Sequence, residues 1–292
     1  MEMKGILPAL VTPFDSKGAV DHDVLASIIE HQLKAGVKGF VPLGSTGEYY
    51  ALNNEERRAV LKTVREVVGD RGILIAGANG SSTREVIEQV RQTRDAGYTN
   101  LLIAPPYYAM PSQEELIGHY EAILAAVPDI DLVVYNYPIR TNVEVGYDVL
   151  EFFKDNPRVI GVKESSGNLL RAIEIGNRYK DNYQLSCGSD DQALDFFLWG
   201  ASSWICGPAN CFASKTVDIY NKFVAGDIFG AQAVMRSLFP VMASMEAGKF
   251  VQKVKYGCEL AGFKVGNARL PLKPLTDEEK ADFRKVFEAS QA

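Results

Sequence analysis

Short apolar runs rich in branched residues recur along the chain. Each is followed by a turn and then by residues whose apolar positions repeat with a helical period. The runs cover 6–11, 38–43, 73–76, 100–104, 132–136, 159–163, 184–187 and 203–206, eight in all. They lack the polar alternation of half-exposed strands and read as parallel strands covered on both faces. The intervals carry helix punctuation. Val24, Ile28 and Gln32 share a stripe that Gly36 stops. Asn54 is read as the cap of a helix over 55–68, with Glu55 and Glu56 in its first turn and Gly69 at its end. Ser82 or Thr83 opens a helix that closes at Gly97, and Ser112 opens another with Glu115 at capping-box spacing. Helical periods also cover 147–154, 169–179 and 191–198. From Ser214 onward no strand pattern remains. Three or four helices follow, the last over 277–289, after the Leu270-Pro271-Leu272-Lys273-Pro274 break.

Eight strand–helix alternations followed by helices predict an α/β fold, a (β/α)8 barrel with a C-terminal helical extension. The expected division is a barrel over 1–210, with the last barrel helix and the extension over 211–292. The rival is an open doubly wound sheet, which usually carries a glycine-rich phosphate loop after its first strand. Here that strand runs into Thr12-Pro13-Phe14, and neither GxGxxG nor GxxxxGK[ST] occurs.

Composition narrows the function. Of 292 residues, 47% are hydrophobic and 23% charged, enough for a large core without disulfides or structural metal. The 31 basic and 37 acidic side chains give a net charge of −6 with no basic block, which argues against nucleic acid or an anionic membrane as partner. No apolar run approaches the ~18 residues of a membrane span, so no transmembrane helix is expected, and 1–14 lacks the features of a signal peptide. Cys187, Cys206, Cys211 and Cys258 form no CxxC pair and read as reduced thiols of a cytoplasmic protein.

A barrel places its chemistry where strands end. Lys163 ends an apolar strand, where burial would favour the uncharged amine that attacks a ketone to form an imine; the plain alternative is a lysine reaching solvent or paired with Glu164. Ser45 and Thr46, between Gly44 and Gly47, offer hydroxyls and backbone N–H groups for a carboxylate, or form an ordinary turn. Tyr135 ends the strand before that of Lys163 and is either a proton carrier or a core aromatic. Arg140 is either a bidentate carboxylate ligand or a surface charge. Asp190 is read as the cap of the seventh helix. The histidines, His22, His31 and His119, fall in helical segments without ligand spacing, so no metal is expected.

Together these segments resemble the dihydrodipicolinate synthase/N-acetylneuraminate lyase family of class I aldolases. The resemblance rests on Pro8-Ala9-Leu10-Val11-Thr12-Pro13-Phe14, Gly44-Ser45-Thr46-Gly47-Glu48, Tyr135-Asn136-x-Pro138, the run from Gly161 through Lys163 to Asn168, and Arg269-Leu270-Pro271-Leu272. It covers essentially the whole chain. It implies that Lys163 forms an imine with pyruvate or another 2-oxo acid, and that Ser45 and Thr46 hold its carboxylate. Tyr135 would be the acid/base, with Gly188 and Ile205 among the substrate-binding residues. Tyr108 would enter the neighbouring subunit's site and complete a proton relay with Thr46 and Tyr135, which implies a homotetramer built as a dimer of dimers. No cofactor is implied, because the imine nitrogen is the electron sink.

Arg140 favours the synthase-like branch, in which an aldehyde such as aspartate semialdehyde is the second substrate. Three departures stand out. Ser45 replaces the usual first threonine. The stretch 49–57 lacks the histidine of lysine-inhibited relatives. Asn142 replaces the usual glycine. Aldolases of 2-keto-3-deoxy sugar acids, dehydratases or deaminases of 2-oxo acids, and a non-catalytic oxo-acid sensor are the alternatives.

Overall fold

The structure, a computed structural model, describes residues 1–291. In chain order the elements begin with β1 (Gly5–Pro8), α1 (His22–Ala35), β2 (Gly39–Phe40), α2 (Asn54–Val68), β3 (Ile73–Leu74), β4 (Ala76–Gly77) and α3 (Thr83–Asp95). They continue with β5 (Asn100–Ile103), α4 (Gln113–Ala126), β6 (Asp131–Asn136), α5 (Pro138–Thr141), α6 (Tyr147–Phe153), β7 (Val159–Glu164) and α7 (Leu169–Arg178). The last are β8 (Gln184–Cys187), α8 (Ala193–Leu198), β9 (Ser203–Cys206), α9 (Ala213–Val224), α10 (Ile228–Glu246), α11 (Phe250–Leu260) and α12 (Asp277–Ala289). This is the element order of a (β/α)8 chain with a helical C-terminal extension. The expected third strand is divided at Ile75 into β3 and β4. The first two strands are shorter than their apolar runs. Pro8 has no N–H to continue a ladder, and Leu43 leaves the extended region with φ +57°.

The chain divides into two compact units. One comprises 1–4 and 74–205. Its centre is a parallel sheet in the order β4-β5-β6-β7-β8-β9. Leu101 to Ile103 and Leu132 to Val134 are buried throughout, as strands covered on both faces must be. The helix stripes are equally plain: Val86, Gln89, Val90 and Thr93 on α3, and Leu116, His119, Tyr120, Ile123 and Leu124 on α4. Ser82 caps α3, and Ser112 with Glu115 forms the capping box of α4. Asp190 is not a helix cap. It accepts a hydrogen bond from the Trp204 indole at 2.9 Å, and α8 starts later, from Gln192; a buried indole N–H needs a partner, and that need claims the carboxylate.

The other unit comprises 5–73 and 206–292. The Ile6 carbonyl accepts from Lys38 N–H and the Pro8 carbonyl from Val41 N–H, which sets β1 beside β2. Helix α1 starts from Asp21, whose carboxylate accepts the Val24 N–H, and stops at Gly36 in the left-handed region. Helix α2 is capped by Asn53, not Asn54: Asn53 and Glu56 form a capping box, so the cap lies one residue earlier than the charge pattern suggests. Helix α10 is long and apolar enough to pass for a membrane span by length and composition. It nevertheless buries Ala231, Met235, Leu238, Met242 and Met245 as one stripe, packed with α9 and α12. All four cysteines are free thiols, and burial pushes that of Cys258 up to about 12.

His119 is buried, with Nδ1 2.9 Å from the Thr83 hydroxyl, and desolvation holds its pKa down to about 4. A folded-state value below that of the free side chain means that acid favours the unfolded chain. The contribution is complete above about pH 6.5 and is lost as pH falls toward 4, up to roughly 3 kcal/mol. Denaturant titrations across this window should show His119→Gln losing correspondingly less stability than the parent; parallel curves would mean that His119 is not held neutral.

Candidate active site

In the first unit, β6 and β7 pair in parallel with Tyr135 opposite Lys163 and Asn136 opposite Glu164. Because successive strand residues face opposite ways, Tyr135 and Lys163 share one face of the sheet and Asn136 and Glu164 the other. Lys163 is 6% exposed and Tyr135 5%. The Lys163 Nζ lies 4.4 Å from the centroid of the Tyr135 ring. Tyr135 in turn stacks on Tyr137, with centroids 5.5 Å apart. An amine on a π-face is placed where positive charge on its nitrogen, such as that of an iminium, is favoured.

Gly188 follows β8 and donates its N–H to the Glu164 carbonyl at 2.8 Å. A Cβ there would stand 2.7 Å from Lys163 Cε and 1.8 Å from the Ser165 Oγ. Only glycine leaves that space to the lysine stem. Ser165 is buried, and its hydroxyl has no hydrogen-bond partner among the described residues. Ile205 is buried on β9.

The opposite face holds a closed charge network. Glu164, fully buried, pairs with the Arg171 Nε at 2.9 Å and accepts from the Asn136 amide at 2.8 Å and from the Ser166 N–H at 2.6 Å. The Asn136 side-chain Oδ1 accepts from Val145 N–H, and Arg171 also donates to the Val145 carbonyl. The carboxylate next to Lys163 in sequence is therefore held by an arginine. Sequence reasoning missed this set, although strand alternation marks Asn136 and Glu164 as facing away from Tyr135 and Lys163.

Tyr137 opens α5, and the Arg140 guanidinium lies 5.9 Å from its ring centroid at the exposed end of that turn. Asn142 adopts φ +54° at the end of α5, a left-handed conformation that asparagine tolerates better than most side chains. It donates to the Met110 sulfur at 3.0 Å. Tyr108, in the loop before α4, is 87% exposed, beside exposed Tyr107 and Met110.

In the second unit, Ser45 is half-buried and Thr46 buried in the turn after β2. Gly47 donates to the Gly44 carbonyl and Glu48 to the Ser45 carbonyl. The Thr12 hydroxyl, at the end of the first apolar run, donates to the Gly47 carbonyl at 2.7 Å. A Cβ on Gly47 would lie 2.8 Å from the Leu10 carbonyl oxygen, so the backbone approach requires glycine. Glu48 is buried and pairs with Lys255 of α11 at 2.7 Å. Desolvation lowers the Lys255 pKa, and the Glu48 carboxylate opposes that shift. Sequence reasoning missed Lys255, although it falls on the buried stripe of Val251, Val254 and Cys258.

The family model described as the dihydrodipicolinate synthetase family matches residues 2–290. A 4-hydroxy-tetrahydrodipicolinate synthase of Methanoculleus marisnigri is 36% identical over 287 residues, covering 97% of this chain and 98% of that protein. One from Exiguobacterium is 32% identical over 284 residues, at 97% of each. Among solved structures, the chloride-inhibited dihydrodipicolinate synthase of Acinetobacter baumannii in complex with pyruvate superposes with a TM-score of 0.95 at 29% identity and 99% coverage of both chains. The Bacillus anthracis dihydrodipicolinate synthase gives a TM-score of 0.94 at 28% identity, covering 99% of this chain and 98% of that one.

Arg171→Met leaves the Glu164 charge buried without its cation. Unfolding free energy should fall by about 3–5 kcal/mol in denaturant melts. A change below about 1 kcal/mol, the scale of exposed pairs, would show that the pair does not secure these strand ends.

Proposed function

This chain belongs to the dihydrodipicolinate synthetase family, and on that premise we propose that it is a lyase condensing pyruvate with aspartate semialdehyde through an imine on Lys163, as a 4-hydroxy-tetrahydrodipicolinate synthase. The observation that supports this most directly is the buried Lys163 nitrogen over the buried Tyr135 ring.

Uncharged Lys163 adds to the C2 carbonyl of pyruvate, and the carbinolamine loses water to give the imine. Protonated, the imine draws electrons from C3, which loses a proton to give the enamine. The enamine carbon attacks the aldehyde carbonyl, forming the carbon–carbon bond and leaving a hydroxyl. Attack of the product's own amine on the imine carbon closes the ring and frees Lys163. Tyr135 is assigned the proton transfers of carbinolamine formation and collapse. The Tyr135 ring face favours the positive nitrogen of the protonated imine.

To Ser45 and Thr46 we assign the carboxylate of the oxo acid, and to Gly188 and Ile205 the remaining contacts with it. Arg140, exposed beside Tyr137, suits the carboxylate of the aldehyde. Thr46 and Tyr108 complete the proton path. The exposure of Tyr108, with Tyr107, Met110 and Ile139 also exposed, supports its service to a neighbouring subunit in a homotetramer. Four free thiols fit a cytoplasmic enzyme. The expected division, a barrel over 1–210 and an extension over 211–292, is retained as part of this reading.

Borohydride added with pyruvate should fix a three-carbon adduct on Lys163, located by peptide mass spectrometry. Tyr135→Phe should lower turnover by about 10²–10⁴-fold in a folded protein. No adduct, or a loss of less than roughly threefold, would remove the assigned roles. Rapid turnover of 2-keto-3-deoxygluconate without turnover of aspartate semialdehyde would replace the synthase with a sugar-acid aldolase. Subunit sharing has its own check. Tyr108→Phe and Tyr135→Phe chains, each impaired alone, should regain activity when dissociated together and reassembled as hybrids. No recovery would place Tyr108 outside the neighbour's site.

A further inference from the structure

Glu48 follows the Ser45–Thr46 turn directly, and both of its carboxylate oxygens are engaged by the C-terminal part of the chain. Oε1 accepts from Lys255 Nζ at 2.7 Å, and Oε2 accepts from the Arg269 N–H at 2.8 Å. Lys255 is 2% exposed and Glu48 fully buried. The same ammonium donates to the Asn267 carbonyl at 3.1 Å and lies 4.0 Å from the Phe14 ring centroid. The Arg269 guanidinium lies 4.3 Å from the centroid of the same Phe14 ring and donates to Glu56 and to the Ala51 and Gly18 carbonyls. Phe14, Glu48, Lys255 and Arg269 thus form one packed node, joined to the turn through the backbone of Glu48.

The turn needs such an anchor. Leu43 and Glu48, on either side of it, both sit in the left-handed region, at φ +57° and +55°. A non-glycine residue there costs about 1–3 kcal/mol and persists only where its surroundings fix it. An apolar pair in place of Glu48 and Lys255 would fill the same volume without desolvating two charges, and such replacements are often neutral or stabilising. What a charge pair adds is a fixed location for the carboxylate, and hence for the backbone that carries it.

We propose that Lys255 is a positioning residue for oxo-acid binding: through Glu48 it holds the Ser45–Thr46 turn in the backbone conformation that receives the carboxylate. This rests on the carboxylate assignment given above. It gives α11, in the C-terminal extension, a direct part in substrate affinity, although Lys255 itself touches no substrate.

The full-length enzyme tests this in two readouts. In Lys255→Met, amide exchange at Gly47 and Glu48 should quicken by about tenfold while the amides of α2 keep their rates. The KM for pyruvate should rise by about tenfold, with kcat within roughly threefold, because misplacing a binding group by ~1 Å is costly. The double variant Glu48→Gln/Lys255→Met leaves no unpaired charge; it should recover thermal stability yet keep the raised KM. A purely structural pair would lower the melting temperature of the single variant and leave KM unmoved, which overturns the proposal, as does a raised exchange rate without a change in KM. Thr46→Val separates this from the parent reading. If it raises KM and folded Lys255→Met does not, only the positioning role falls. If Thr46→Val leaves KM unchanged, the carboxylate assignment falls and this proposal with it.

Discussion

Parallel pairing of β6 with β7 fixes Tyr135 against Lys163 and Asn136 against Glu164 in a single step of register. Shifting either strand by one residue would turn the amine toward the helix layer and the carboxylate toward its place. The pairing is secured on the far side by Glu164 and Arg171, both buried. A buried carboxylate tolerates little displacement from its cation, so the register that suits the ion pair is also the register that aims Lys163 over Tyr135. One strand pairing thus sets the ion pair on one face and the amine–ring contact on the other.

The second unit solves a similar problem with similar means. The Ser45–Thr46 turn has few backbone hydrogen bonds of its own. Thr12 grips it from one side, and Glu48 ties it to Lys255 and to the backbone of Arg269 on the other. In both units a motif residue beside the proposed site residues is itself a buried charge whose partner lies on a helix: Arg171 on α7, Lys255 on α11. The segments that gave the family resemblance therefore mix residues suited to the reaction with residues suited to holding it in place.

Periodicity showed most of the architecture. Apolar runs marked the eight strand positions, and the signals at Gly36, Ser82 and Ser112 lie at real helix ends. The two misplaced caps have different causes, one tertiary and one local. Asp190 looks like a cap, but the indole of Trp204 claims it. Asn54 looks like a cap because acids follow it, but Asn53 is spaced to reach Glu56. Lys163, Tyr135 and the glycine-flanked hydroxyls stand out in the sequence as candidates because strand ends are few and their residues unusual. Glu164–Arg171 and Glu48–Lys255 do not: the partners of the second pair are 207 positions apart, and nothing in a single chain couples them before it folds. The buried hydroxyl of Ser165 was likewise invisible, since its significance lies in the missing side chain of Gly188.

Arg171 neutralises the carboxylate nearest to Lys163 along the backbone, and both side chains of the pair are buried. The mobile ions of a buffer act on fields that reach water, and a compensated pair this deep projects little field outward. Added salt consequently loosens the hold of Arg171 on Glu164 far less than it loosens an exposed pair such as Arg71 with Glu30.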